Sequence, residues 1–344
     1  MGYTESAWFF KSDGKAEKMD IPKLKENIET AFSTSSFIWL HLDFTKSLSA
    51  EMMHLLRLSP AVKDTLLSQT TRPRFENVDD NSYLLVLRGV NLIDPDHPHD
   101  MISLRCYASK DILITTGHRQ LKTILEISDA IENGEKTFTN PHHICAEIVK
   151  KLAEKMAPVF AEIEDEVDDF ELLNLNQDAN SADSGSRKYI KDLRLQTLHL
   201  RRYIFPQKEA LVQYLDFLNR VFGFGEYYEV KQSIDDHRRY IEDIDLTRER
   251  LNLLDQEIVA LISERMNNNL YVLSIVSLIF LPLGFLTGLF GINVGGMPMT
   301  EDDMGFWIVC IICAVLAIVQ FIFLVKMGWI NWGGKPPLER QDHE

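Results

Sequence analysis

Leu270 to Ile292 reads LYVLSIVSLIFLPLGFLTGLFGI, and no charged side chain occurs anywhere between Arg265 and Glu301. A span of about 20 predominantly apolar residues crosses a bilayer as a helix, so this stretch decides the fold class. A second charge-free run follows from Met304 to Val325, with only Gln320 notably polar. The connector, Asn293 to Asp303, holds no Lys or Arg and three acids, Glu301, Asp302 and Asp303. Basic residues flank the other ends: Arg265 before the first span, Lys326 and Lys335 after the second. The two runs therefore read as a helical hairpin whose termini both lie on the cytoplasmic side.

Two helices cannot enclose a water-filled path, so a conducting hairpin needs several copies around a shared axis. Ser263, Asn267, Ser274, Ser277, Gly284 and Gly288 recur at helical spacing along the first span and its approach. They form one narrow stripe of polar or small residues. Such a stripe serves either a pore wall or close helix packing, and spacing alone leaves both readings open. Pro282 sits mid-span, where its missing donor frees a backbone carbonyl. The second span carries no comparable stripe and reads as lipid-facing. Cys310 and Cys313 form a CxxC inside that span and read as helix-packing residues.

Upstream, the rhythm of apolar residues predicts long helices. Ile148, Leu152, Met156, Val159, Ile163, Val167 and Phe170 step by four and three. Asn174 to Ser186 is polar and turn-forming, and a second helix is expected from about 187 to 222 with a kink at Pro206. Gly223-Phe224-Gly225 breaks it. A third seam follows in Val230, Ile234, Ile241, Ile244, Leu251 and Ile258, interrupted by His237 and Arg248 where apolar residues are expected. No breaker separates this helix from the first span, so one helix of roughly 100 Å is expected to join a cytoplasmic domain to the membrane segment.

Residues 1 to about 140 mix both periodicities. Phe37 to Leu42, Tyr83 to Val90, Ile102 to Tyr107 and Ile112 to Thr115 read as strands, and Trp8-Phe9-Phe10 as the start of another. Helices are expected near 22–31, 49–57, 60–68 and 119–132, giving an α/β layer domain with a largely internal sheet. Gly2 and Ser6 match a myristoylation pattern, but the strand beginning at Trp8 is the preferred reading. The first residues lack the apolar run of a secretory signal.

The chain has 344 residues, 45% of them apolar, and a net charge of −15. That charge argues against nucleic acid as a partner, since phosphates call for Lys and Arg. No phosphate-binding glycine loop, HExxH or Ser/His/Asp constellation stands in recognisable context, so an enzyme is not expected.

Taken together, these segments resemble the CorA-type metal ion transporters, and within them the zinc-transporting ZntB branch. The resemblance covers the whole chain. It rests on Gly291-Ile292-Asn293, a Gly-x-Asn signature closing the first span and followed by Gly295-Gly296. The segments 71-TRPR-74, 87-LRGVNL-92 and 199-HLRRY-203 also look similar to the ZntB branch. The resemblance implies an α/β cytoplasmic domain (1–140), a long-helix hairpin (141–225) and a stalk helix lining a funnel (226–269). A pore helix (270–292), short outer loop (293–303), second span (304–325) and cytoplasmic tail (326–344) complete it. It further implies a funnel-shaped homopentamer in the bacterial inner membrane, with no cofactor and a divalent cation as the transported substrate. Zinc is the expected cargo, with cadmium, nickel or cobalt secondary and protons as a possible coupling ion. A magnesium or cobalt channel of the same family and a membrane-tethered metal sensor are the alternatives.

On this reading Asn293 contributes a ring of amide carbonyls at the outer mouth, and Glu301, Asp302 and Asp303 concentrate cations outside it. Asn267 and Leu270 are candidates for a constriction, and Leu273 and Leu281 for an apolar gate. His97 and His99, alternating with carboxylates in a Pro-punctuated loop, are candidate zinc ligands. His142, His143 and Cys145 lack a closed four-ligand set. The acids from Glu162 to Glu171 read as the solvated face of a helix, with metal recruitment as the other use.

Overall fold

The computed structural model describes residues 3–26, 28–93, 100–175, 184–292 and 304–329. The chain forms two compact units, residues 1–256 and 257–344.

The first unit is built on a seven-stranded sheet. Its strands are β1 (Ser6–Phe10), β2 (Ala16–Met19), β3 (Phe37–Asp43), β4 (Arg74–Asp79), β5 (Ser82–Val90), β6 (Met101–Ala108) and β7 (Ile112–Gly117). They lie in the order β2-β1-β3-β7-β6-β5-β4. Only the β3/β7 pair is parallel among the described pairings. β3 is buried along its full length, as a run of Phe, Ile, Trp and Leu covered on both faces should be.

The four strands read from sequence are present, and β1 begins at Ser6. β2 and β4 were not anticipated. Both are edge strands with mostly exposed, polar side chains, and their register comes from the neighbour rather than from their own apolar pattern.

Alternate residues serve two layers. Trp8, Phe10, Phe37, Trp39, Tyr83, Leu85 and Leu87 join a core with residues of α5 (Lys122–Glu132), α6 (Pro141–Leu175) and α7 (Ser184–Phe222). Ala7, Phe9, Ile38, Leu40, Leu84 and Ile114 pack on the opposite face. There they meet α1 (Ile21–Glu26), α2 (Ile28–Thr34), α3 (Ser47–Leu55) and α4 (Pro60–Leu67). α4 starts where expected because Ser59 caps it, its side chain accepting from the Val62 amide at 3.4 Å, with Pro60 behind it.

All seven residues of the α6 seam are buried. Most of the acids between them are exposed, and Asp168 and Glu171 pair with Arg250 of α8 (Tyr228–Phe290). The solvated-face reading thus holds, with an ion-paired margin. α7 runs through Pro206 as one helix. It stops at Gly223 and Gly225, whose φ values of 97° and 92° suit only glycine at low cost. α8 then continues for 63 residues, about 95 Å at 1.5 Å per residue.

Candidate ion pathway

The second unit comprises α8 from Glu257 onward and α9 (Gly305–Lys326), both apolar and long enough to cross a bilayer. α9 covers one face of α8. Ile275, Ile279, Pro282, Leu283 and Leu286 are half-buried in this unit, Gln320 Nε2 donates to the Leu278 carbonyl at 3.4 Å, and the Tyr271 hydroxyl donates to the Trp329 carbonyl. At about 100° per residue the half-buried set occupies one side of the helix. Ser263, Asn267, Leu270, Ser274, Ser277, Leu281, Gly284, Gly288 and Gly291 fall on the other, within an arc of about 120°. Leu273 lies at the edge of the same arc. Every one of these ten residues is exposed, and so are Met266 and Phe285, which share the arc.

The chemistry of this uncovered face is specific. Ser274 Oγ donates to the Leu270 carbonyl at 2.8 Å, which satisfies its proton locally and leaves oxygen lone pairs free to accept. Thr287, outside this arc, does the same toward Leu283 at 3.0 Å. A Cβ placed on Gly284 or Gly288 would meet nothing within 4 Å, so neither glycine is demanded by packing inside the chain. Gly291 differs. Its amide donates to the Thr287 carbonyl at 2.9 Å, and a Cβ there would stand 3.1 Å from that oxygen. Ile292 is exposed beside it. Asn293, the acids Glu301, Asp302 and Asp303, and the His97/His99 pair lie outside the described residues.

The remaining candidates do not converge. His142 is buried against Tyr83 and Phe222, with Nδ1 3.4 Å from the Tyr83 hydroxyl, and burial lowers its pKa to about 4. His143 turns instead to Thr139 and Tyr227. Cys145 is buried beside Cys106. Among the described residues no three His, Cys, Asp or Glu side chains gather at metal-binding distance. Cys310 and Cys313 are free thiols on α9. The face that α9 covers was not legible in sequence, because both sides of the span are apolar enough to face lipid.

Comparison with known proteins identifies the family of the chain. Residues 34–326 match the profile of the family described as CorA-like Mg2+ transporter protein. The chain is 27% identical to the zinc transport protein ZntB of Yersinia pseudotuberculosis, over 95% of this chain and 97% of that one. It is 31% identical to the divalent cation transporter CmaX of Pseudomonas aeruginosa, over 85% of this chain and 87% of that one. The structure of full-length CmaX superposes with a TM-score of 0.76 at 28% identity, covering 94% and 98% of the two chains. The CorA magnesium transporter of Methanocaldococcus jannaschii shares the fold, with a TM-score of 0.77 at 18% identity over 96% and 100%. The matched segment takes in the sheet from β3 onward, the long helices and both spans, and the chain accordingly belongs to the CorA-like family of metal ion transporters.

Proposed function

We propose that this protein carries divalent cations across the bacterial inner membrane, zinc foremost, as a homopentamer whose pore is walled by the first span. The observation that carries the reading is the uncovered face of α8. α9 shields the opposite side, while a face carrying Ser263, Asn267, Ser274, Ser277, Gly284, Gly288 and Gly291, interspersed with Met266, three leucines and Phe285, is left open. Five copies of this face around one axis form a partly polar wall, with Leu270, Leu273 and Leu281 as apolar constrictions and α9 toward lipid. At the outer end five Asn293 amides offer carbonyl oxygens, which hold a hydrated divalent ion without trapping it. The termini are cytoplasmic, as the basic flanks Arg265 and Lys326 favour.

Zinc is favoured over magnesium by relatives named for zinc transport and by Ile292 with the glycines after the signature. Oxygen ligands alone do not discriminate, but magnesium gives up its waters reluctantly, so a path needing partial dehydration disfavours it. Net uptake follows the membrane potential, with a pH gradient as a second driving force.

The test is flux into proteoliposomes of zinc and magnesium in the same vesicles, with the pH gradient on and then off. Zinc uptake exceeding magnesium uptake is expected. Magnesium transport without zinc transport makes the protein a magnesium channel, and binding without flux makes it a sensor. In mild detergent the particle mass should be near five chains; a transporting monomer or dimer overturns the shared pore. If Glu301, Asp302 and Asp303 concentrate cations, neutralising all three should lower uptake most at low ionic strength, where the Debye length is long. A loss independent of salt assigns them to folding or direct coordination.

A further inference from the structure

We propose that Gln207 and His237 form a proton-operated latch that holds the N-terminal part of α8 to the open edge of β5. The latch is a property of the cytoplasmic unit and is independent of which ion is carried.

The edge exists because β4 is short. Its first residue, Arg74, pairs with Val86, so among the described residues no strand stands opposite that side of β5 beyond Val86. The Arg88 N–H and C=O fall there, and Gln207 of α7 takes both. Arg88 N donates to Gln207 Oε1 at 2.6 Å, and Gln207 Nε2 donates to Arg88 O at 3.2 Å. The side-chain amide does the work of a missing strand residue. Its second N–H points to His237 Nε2 at 2.9 Å, while His237 Nδ1 lies 2.7 Å from the Ser233 carbonyl. Gln207 is 1% exposed and His237 fully buried.

These contacts fix every proton. The Ser233 carbonyl only accepts, so Nδ1 carries the hydrogen, and Nε2 of the neutral ring is then an acceptor. The Arg88 N–H fixes the amide with its oxygen toward β5. The set is fully satisfied only while His237 is neutral. A second ring proton on Nε2 would face the N–H of Gln207. Turning the amide to relieve this would aim its NH2 at the Arg88 N–H. Either way one link, to α8 or to β5, is lost in a site closed to water.

Few other groups face the ring. Tyr240 of the same helix stands with its centroid 6.2 Å away, its hydroxyl donating to the Ala153 carbonyl of α6. The Arg88 guanidinium is turned to the Met101 and Thr71 carbonyls and stacks over Tyr203. Burial lowers the His237 pKa to about 4, opposed by the Ser233 carbonyl, and no charged side chain contributes to the shift. Because the latched pKa lies below that of a released ring, the latch is intact at neutral pH. It weakens as pH falls below about 6.5, until both forms are protonated near 4.

The test is hydrogen exchange of the full-length protein in detergent, at pH 7.5 and 5.5, corrected for the intrinsic pH dependence of exchange. Protection of peptides covering Arg88 and residues 230–240 should fall about tenfold at the lower pH, while α5 stays unchanged. His237→Gln, which does not titrate, should remove the difference. Gln207→Glu should reverse it, since a carboxylate accepts from both the Arg88 amide and a protonated His237. Equal protection of the wild type at both pH values overturns the latch, as does an undiminished pH response in His237→Gln. If that variant fails to fold, Gln207→Glu decides, and a fall matching the wild type overturns the proposal.

Discussion

Replacing Gly288 by leucine is expected to cut divalent-cation flux at least tenfold while leaving the protein folded and inserted. Gly288 sits on the uncovered face of α8, and a Cβ there meets nothing within 4 Å in the chain. Leucine is also the better helix former by roughly 0.8 kcal/mol, so no folding penalty arises within the subunit. In a pentamer, however, five isobutyl groups would converge on one axis and replace a partly polar wall with an apolar plug. Val276→Leu, exposed on α8 but outside the stripe, adds bulk at the same span and should leave flux near wild type. If Asn293 forms the proposed amide ring, Asn293→Ala should also lower flux far more than it lowers expression. Flux in proteoliposomes at matched protein content decides. Wild-type rates for Gly288→Leu would mean that the stripe faces lipid or a neighbouring helix, not a pore.

Gly89→Val should destabilise the cytoplasmic unit by about 1–3 kcal/mol. Gly89 lies on β5 beneath α6, and a Cβ there would stand 2.5 Å from Leu152 Cδ2 and 3.0 Å from Leu121 Cδ2. Both leucines are buried, at 2% and 4% exposure, so neither swings out into solvent to make room. The unfolding midpoint in detergent should drop by several degrees, and Leu152→Ala in the same chain should recover part of the loss, since the two sites share one volume. Additive losses would show that the strand and helix separate without strain.

This pair explains a motif that sequence alone could only match. In Leu87-Arg88-Gly89-Val90 the leucine fills the core, the arginine backbone binds Gln207, and the glycine admits Leu152. Strands dominated by apolar and β-branched residues, such as β3 and β7, were readable because their own side chains dictate burial. β2 and β4 were not, because Ala16-Glu17-Lys18-Met19 and the run from Arg74 to Asp79 owe their pairing to a neighbour. The stripe on α8 was legible from spacing, but which side α9 shields depends on packing between two apolar helices. His237 was visible as an interruption in a helical seam. Its partner was not, since Gln207 lies on another helix and nothing in its own neighbourhood marks it.

The parallel pairing of β3 with β7 has a consequence for the order in which the protein is made. Asp43 ends β3, yet its neighbour in the sheet does not begin until Ile112, with two helices and three strands in between. The centre of the sheet therefore cannot zip locally, and long-range pairings of this kind are slow to form. Synthesis at about 5–20 residues per second delivers residues 1–256 over some tens of seconds, all of it before the first span is translated. The slow step of the cytoplasmic unit thus has a head start on membrane insertion, and a variant that delays β7 docking should expose an unpaired β3 edge while the ribosome is already producing the apolar segment.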